Sequence, residues 1–285
     1  MARWTIRDVV QWSAEDFSSR GIDSARLDAE LLVSEALGLD RVRLYMDLDR
    51  PLTEVERGRV RELVKRRRRR EPIAYILERR DFYGRTFRVT PAVLIPRPDT
   101  ETLVERALVV LEEEGGRVLD LCTGSGAIGL TLLGEVPELT ADLTDLSRDA
   151  LAVAKKNAAA LGVVERATFH EGDLFEPLPA DAQYRLIAVN PPYIAQAEVP
   201  ELQPDVRDHE PRLALVSGPT GFEVLNRLAE QSGQRLLSGG RLLVEVGAGQ
   251  ATRFRAQLND APWVASTAVH EDLSGILRVV EAKRA

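Results

Sequence analysis

The chain contains one cysteine, Cys122, three histidines and two methionines in 285 residues. A lone cysteine excludes an internal disulfide framework and fits a reducing cytoplasm. His170, His209 and His270 stand far apart, in no metal-ligand spacing. A zinc site built from them and Cys122 is therefore not expected, and no metal is assigned. No apolar run approaches the ~20 residues of a membrane span, so no membrane partner is expected. The opening Met1-Ala2-Arg3-Trp4-Thr5 soon meets acidic residues and lacks a signal-peptide core; the expected location is cytoplasmic. An overall positive charge is missing too. The net charge of −7 argues against a general nucleic-acid binder.

What is present suits a globular chain of about two domains, with 44% hydrophobic and 29% charged residues. Charge is unevenly spread. Residues 1–75 carry 16 Lys and Arg against 14 Asp and Glu, whereas the remainder carries 22 against 31. The basic surplus sits in Lys65-Arg66-Arg67-Arg68-Arg69-Arg70. It reads first as a solvated helix end, with cations at the negative pole of the dipole. A local contact with RNA or an acidic partner is the alternative.

Residues 1–72 read as a small all-α domain. Trp4, Ile6, Val9, Val10, Trp12 and Phe17 form one apolar stripe, ended by Gly21. Leu27, Ala29, Leu31, Leu32, Ala36 and Leu37 form another, ended by Gly38. A short helix is expected near 41–46, and Thr53 with Glu56 reads as a capping box. A linker, 73–97, holds a β-hairpin around Gly84. From 98 to 285 helix and strand alternate, with strands expected at 117–122, 140–145, 167–172, 184–190, 240–246, 264–269 and 276–281. The last two are joined by too few residues for a parallel crossover, so they should be antiparallel. The fold class is α/β: a doubly wound, Rossmann-like sheet with an antiparallel strand at its end.

Two segments carry the chemistry. Asp120-Leu121-Cys122-Thr123-Gly124-Ser125-Gly126-Ala127-Ile128-Gly129 lies between a strand and a helix, with glycines in the G-x-G-x-x-G spacing. Asp145 follows Gly126 by 19 residues at the end of the next strand, as a carboxylate on ribose hydroxyls would. A nicotinamide dehydrogenase would share both features. Asp120 beside the loop would oppose a pyrophosphate but suits a cationic methionine moiety, which favours S-adenosylmethionine. Asp173 could accept from an adenine amino group, with Leu174 or Phe175 covering the ring. The second segment is Asn190-Pro191-Pro192-Tyr193, after the buried run 184–189. Two prolines end the sheet there, since neither donates to a ladder. The Asn190 side-chain oxygen and the Pro191 carbonyl are then fixed acceptors for both hydrogens of an –NH2 group, and Tyr193 offers a flat face. Cys122 has no neighbouring histidine or cation in sequence to make it a nucleophile. Arg97 could line the substrate side, but it reads first as a loop arginine paired to a surface carboxylate; Glu245 and His209 read as sheet-end and loop polar residues.

With these segments in view, the chain resembles the protein-glutamine N5-methyltransferases that modify peptide-chain release factors (the PrmC/HemK group). The resemblance covers nearly the whole chain. Glu71-Pro72-Ile73-Ala74-Tyr75-Ile76 matches the family's junction. Leu94-Ile95-Pro96-Arg97-Pro98-Asp99-Thr100-Glu101 matches the loop before its catalytic domain. Asp120 to Gly126, Asn190 to Tyr193, and Asp205-Val206-Arg207 with Glu210-Pro211 and Ala214-Leu215 match further on. The resemblance implies a helical N-terminal domain that helps bind the release factor, followed by a seven-stranded methyltransferase sheet. It also implies S-adenosyl-L-methionine as cofactor, cradled by Cys122, Thr123, Gly124, Ser125 and Gly126, with Asp145 on the ribose and Asp173 and Leu174 at the adenine. Asn190 touches cofactor and substrate; Asn190 and Pro191 are the catalytic pair, and Pro192 and Tyr193 complete the substrate motif. Two departures stand out: Cys122 where many members have Gly, and Leu174 where some have Trp. The expected reaction is methyl transfer to the glutamine of the GGQ motif in release factors, by a monomer with no stable nucleic-acid partner. The alternatives are a ribosomal-protein glutamine or adenine N6 as acceptor, or a binding protein with a relic pocket.

Overall fold

The computed structural model describes residues 4–114 and 116–285. Residues 1–3, on which part of the signal-peptide expectation falls, lie outside them. In chain order the elements begin with five helices: α1 (Ile6–Ser19), α2 (Ala25–Leu37), α3 (Arg41–Met46), α4 (Glu54–Arg68) and α5 (Ile73–Leu77). The hairpin β1 (Arg79–Phe82) and β2 (Arg85–Arg88) follows, then α6 (Glu101–Glu114), β3 (Arg117–Leu121) and α7 (Ala127–Glu135). Next come β4 (Thr140–Asp145), α8 (Arg148–Ala160), β5 (Ala167–Glu171), β6 (Tyr184–Val189) and β7 (Ile194–Ala195). The chain finishes with α9 (Pro204–Arg207), α10 (Arg212–Leu215), β8 (Val216–Gly218), α11 (Glu223–Arg235), β9 (Leu236–Glu245), α12 (Ala251–Asn259), β10 (Val264–Glu271) and β11 (Leu277–Arg284).

The chain forms two compact units. One runs to Glu78 and takes in Gln203–His209; the other holds Arg79–Leu202 and Glu210–Ala285. In the helical unit, capping boxes at Thr5 with Asp8 and Thr53 with Glu56 start α1 and α4 by satisfying orphan N–H groups. Gly38 ends α2 in the left-handed conformation. Ile6, Val10, Phe17, Leu32, Val33, Leu44 and Val60 close the core. The basic run is in part the solvated helix end that its composition suggests, with Lys65, Arg68 and Arg69 exposed, but Arg67 departs from it. Arg67 is buried, with Nε 2.6 Å from Asp28 Oδ2 and Nη1 2.7 Å from Asp205 Oδ2. Arg68 pairs with Asp16 at 3.0 Å and Arg66 with Glu71, while Arg70 donates to the Gly21 carbonyl at 2.7 Å. Partners distant in sequence turn Arg67 inward. Asp205, matched in sequence to a segment after the substrate motif, is one of them.

In the second unit a seven-stranded sheet has the order β10-β11-β9-β6-β3-β4-β5. The pairs β3–β4, β3–β6, β4–β5 and β6–β9 are parallel; β11 is antiparallel to both β9 and β10. The last strand is thus antiparallel as expected, but it is inserted between β9 and β10 and does not form the edge. Its short link to β10 permits only an antiparallel neighbour, whichever side the hairpin docks. Alternation along the strands sends side chains to two cores. Leu119, Ile187, Val189, Leu242 and Val244 meet Leu225, Leu228, Phe254 and Leu258 from α11 and α12. Val118, Leu186, Ala188 and Leu243 meet Leu103, Val104, Leu130 and Leu133 from α6 and α7. Burial on both faces explains why β3 and β6 read as near-continuous apolar runs. Each fully buried Leu or Phe contributes about 1.5–3 kcal/mol relative to exposure. After Val189 the chain forms only two- and three-residue strands and short helical turns as far as Gly218. Such elements are too brief for a periodic signal.

Candidate functional site

The strand order reverses between β3 and β6. A cavity of about 390 Å³ opens beyond the carboxyl ends of these strands. Of the residues singled out from sequence, Cys122, Thr123, Gly124, Ser125, Asp145, Asp173, Leu174, Asn190 and Pro192 all line it. Gly126, Pro191 and Tyr193 are not in its wall.

The loop after β3 is shaped by close contacts. Gly126 sits at the N-terminus of α7 with φ +83°, and a Cβ there would stand 2.5 Å from Leu130 Cδ1. At Gly129 a Cβ would meet Asp120 Oδ2 at 2.9 Å, so the third glycine admits the carboxylate against the helix. Asp120 is fully buried. Its Oδ2 accepts from Thr123 Oγ1 at 2.5 Å and from the Gly129 N–H at 2.9 Å. Burial outweighs these bonds and pushes the carboxyl up to about 7. Asp120 does not line the cavity; it braces the loop from behind, where sequence reasoning set it against the ligand. Cys122 takes φ +55°, a conformation that favours glycine. Burial and the nearby Asp145, Asp120 and Asp173 push its thiol well above the usual range, which disfavours the thiolate.

Asp145 accepts from the Gly124 N–H and the Ser147 N–H, both at 2.8 Å. Burial raises its pKa against these backbone bonds. Asp173 is gripped by Arg227 through two bonds of 3.1 and 2.9 Å, a partner that the sequence did not suggest. Leu174 has φ +45° and faces the cavity, whereas Phe175 is packed into the sheet core. Phe175 therefore does not cover a ring in the cavity; of the two residues expected there, Leu174 faces it.

At the end of β6, Asn190 Nδ2 donates to Thr100 Oγ1 at 3.2 Å. The Pro191 carbonyl belongs to the peptide bond that enters Pro192, which is in the wall. Tyr193 lies beside Glu245 and Arg278; burial pushes its phenol up to about 12. Its carbonyl accepts from Gln250 Nε2 at 2.9 Å, which pins the turn. Two further residues stand in the cavity wall here, Arg97 and Thr100. Arg97 lines the cavity and pairs with the buried Glu210 at 2.5 Å. Thr100 is buried and lines the cavity beside Asn190. Glu245, at the end of β9, is 1% exposed, and burial pushes its carboxyl up to about 7. Only their position at strand and helix ends could have flagged them. His209 bonds to the Arg69 carbonyl within the helical unit and takes no part in the cavity.

The sheet order and the cavity at its switch point define a Rossmann-like methyltransferase. A family model described as methyltransferase small domain matches residues 99–203, and one described as PrmC N-terminal domain matches residues 8–77. Among solved structures, the hMettl16 catalytic domain in complex with a MAT2A 3′UTR hairpin has a TM-score of 0.57 at 14% identity. That match covers 75% of this chain and 79% of the other, and it speaks to fold alone. A release factor glutamine methyltransferase from Geobacter sulfurreducens is 45% identical over 87% of this chain and 86% of its own length. Its namesakes from Bradyrhizobium diazoefficiens and Cereibacter sphaeroides are each 42% identical, over 93% and 97% of this chain and 90% and 97% of their own lengths. The chain belongs to the release factor glutamine methyltransferase family. No helix among the described residues is long and apolar enough to cross a membrane.

Proposed function

We propose that the protein transfers a methyl group from S-adenosyl-L-methionine to the side-chain amide nitrogen (N5) of the glutamine in the GGQ motif of peptide chain release factors. The observation that carries the proposal is the placement of Asn190. It stands in the wall of the cavity that also holds the glycine loop and Asp145, with its amide nitrogen turned to Thr100. The residues present fit the cofactor. Gly124 lines the cavity without a side chain, which leaves backbone open to close approach, Asp145 puts a carboxylate in the same wall, and the cavity volume falls in the range of small-molecule sites.

Thr123, Gly124 and Ser125 would hold the methionine part, Asp145 the ribose hydroxyls, and Asp173 with Leu174 the adenine. When bound, S-adenosylmethionine supplies an electrophilic methyl group on a sulfonium. The amide nitrogen of glutamine is a poor nucleophile, because its lone pair is delocalised into the carbonyl. Asn190 Oδ1 and the Pro191 carbonyl, as acceptors for its two hydrogens, draw density onto nitrogen and aim the lone pair at the methyl. Positioning of this kind contributes up to ~7–11 kcal/mol. Asp145 and Asp173 are engaged by backbone N–H groups and by Arg227, so neither is assigned as a base. The amide proton becomes acidic once the new C–N bond forms, and water takes it. Glutamate should be refused, since a carboxylate offers no hydrogens and unpaired buried acceptors cost ~1–3 kcal/mol.

In this reading residues 1–72 hold the release factor, 73–97 form the linker and 98–285 carry catalysis. The setting is the cytoplasm, where translation terminates. The test is incubation of the protein with labelled S-adenosylmethionine and purified release factor, with the methyl located by mass spectrometry. Label on the GGQ glutamine, absent from a Gln→Glu acceptor, is expected. Label on another protein or on nucleic acid, or none, would overturn the proposal.

A further inference from the structure

The β10–β11 hairpin turns through a run of exposed residues, Leu273-Ser274-Gly275-Ile276-Leu277. Leu273 is fully exposed, and Ile276 and Leu277 are 39% and 38% exposed. The turn beneath them is closely bonded. Asp272 is buried; its Oδ1 accepts from the Ser274 N–H at 2.9 Å and the Ile276 N–H at 3.0 Å, and its Oδ2 from Arg278 Nε at 3.1 Å. The Asp272 N–H donates to the Ile276 carbonyl and the Gly275 N–H to the Asp272 carbonyl, both at 2.9 Å. A turn asks for Asp, Ser and Gly, which are there; it has no need of Leu and Ile. Folding gains nothing from apolar side chains held out in water.

Strand register fixes where this tip stands. Val189, the last residue of β6, is level with Val244 of β9, and Val244 with Val280 of β11. Because β11 runs opposite to β6, Leu277 lies roughly 10 Å beyond Val189 on the cavity side of the sheet, and only about 10 Å across it. Arg278, itself buried, ties the tip to both sides of Asn190. Its Nη2 is 3.2 Å from Asp99, in the 97–100 turn that gives Arg97 and Thr100 to the cavity wall. The Val246 N–H donates to the Arg278 carbonyl at 2.9 Å, and Arg278 Nη1 to the Val246 carbonyl at 3.4 Å. Next to Val246, Gly247 is so close to the Tyr193 ring that a Cβ would stand 3.0 Å from Cδ2. Tip, substrate motif and cavity wall make one continuous rim.

None of residues 273–277 lines the cavity. A cofactor and a lone glutamine side chain end inside it, so the tip is met only by a macromolecule laid over the rim. The 273–277 run carries no charge, Glu271 beside it is exposed, and Arg278 is engaged by two carboxylates, which gives phosphate nothing to bind. We propose that the β10–β11 tip is a docking surface for the protein that presents the glutamine, with Leu273 and Ile276 seated on apolar surface beside the presented residue.

The proposal rests on the glutamine methylation proposed above, and the test separates the two. Wild-type protein is first assayed with release factor; no methyl on the glutamine would sink the function itself. With activity in hand, Leu273→Ser with Ile276→Ser should raise KM for release factor about tenfold or more, since two apolar side chains lose their burial at the interface. The kcat at saturating release factor, and Kd for S-adenosylmethionine by calorimetry, should stay within about twofold. Leu237→Ser is the control: that residue is 40% exposed but sits at the start of β9, the end away from the cavity, and its KM should not move. If the double variant does not fold, Leu273→Ser alone, at a fully exposed position, decides with a rise of about threefold or more. The proposal falls if KM stays within about twofold, including the case in which the variant instead loses binding to a labelled RNA oligonucleotide. It falls equally if Leu237→Ser raises KM as much, or if the loss appears in kcat or in cofactor Kd.

Discussion

Replacing Arg67 by Ala removes the centre of the helical unit's charge network. The guanidinium side chain is 4% exposed and Asp28 beside it is 2% exposed. Arg67 also reaches Asp205 at 2.7 Å and the Glu71 carbonyl at 3.0 Å. Without it, Asp28 keeps one hydroxyl donor, Ser24, for a charge out of reach of water. Breaking a buried pair from one side costs about 3–5 kcal/mol. The lost bond to the Glu71 carbonyl adds about 1 kcal/mol. In a unit of this size each kcal/mol moves the midpoint by about 4–8 °C, so a fall of at least ~15 °C is expected. The assay is thermal unfolding of the full chain followed by circular dichroism. Arg69→Ala is the control, because that side chain is exposed and a surface change of this kind stays within about 0.5 kcal/mol. Arg67→Ala with Asp28→Asn should recover part of the loss, since the stranded charge is gone. A loss below about 1 kcal/mol for Arg67→Ala, or an equal loss for Arg69→Ala, would refute the assignment of the run as a structural hub.

Three further outcomes are expected. Cys122→Gly should raise stability by about 1 kcal/mol by relieving the left-handed backbone, read from urea midpoints; a loss would show that the cysteine's packing matters more. Asp120 has a folded-state pKa raised from 3.8 to about 7, so the native state holds the extra proton and stability falls as pH rises through that window, flattening above it. Asp120→Asn should reduce this slope by an amount on the order of a few kcal/mol across the window, with Glu245 leaving a residue of the same sign; an unchanged slope between about pH 4 and 8 would count against it. Asp145→Ala should weaken S-adenosylmethionine binding by about tenfold or more in calorimetry while circular dichroism stays native, because two or more hydrogen bonds to a charged acceptor are lost. Unchanged affinity would remove Asp145 from the ribose position.

The local sequence determined a good deal by itself. Thr53 with Glu56 and Thr5 with Asp8 start helices by chemistry confined to four residues. Gly38 ends one because only a residue without Cβ takes that conformation freely. The glycine spacing after β3, the carboxylate after β4 and the Asn-Pro-Pro-Tyr turn after β6 sit at the ends of apolar runs. Strand ends of a parallel sheet gather on one side, so their meeting was implicit in the pattern. The tertiary structure decided what depends on partners remote in the chain. It turned Arg67 inward, because Asp28 and Asp205 lie 39 and 138 positions away. It withdrew Asp120 and Phe175 from the cavity and put β11 between β9 and β10. It also brought Thr100 to Asn190, whose Nδ2 donates to the threonine hydroxyl at 3.2 Å. Periodicity and short-range motifs report the backbone's local preferences; the direction of a hydrogen bond and the burial of a charge are set only when distant elements pack.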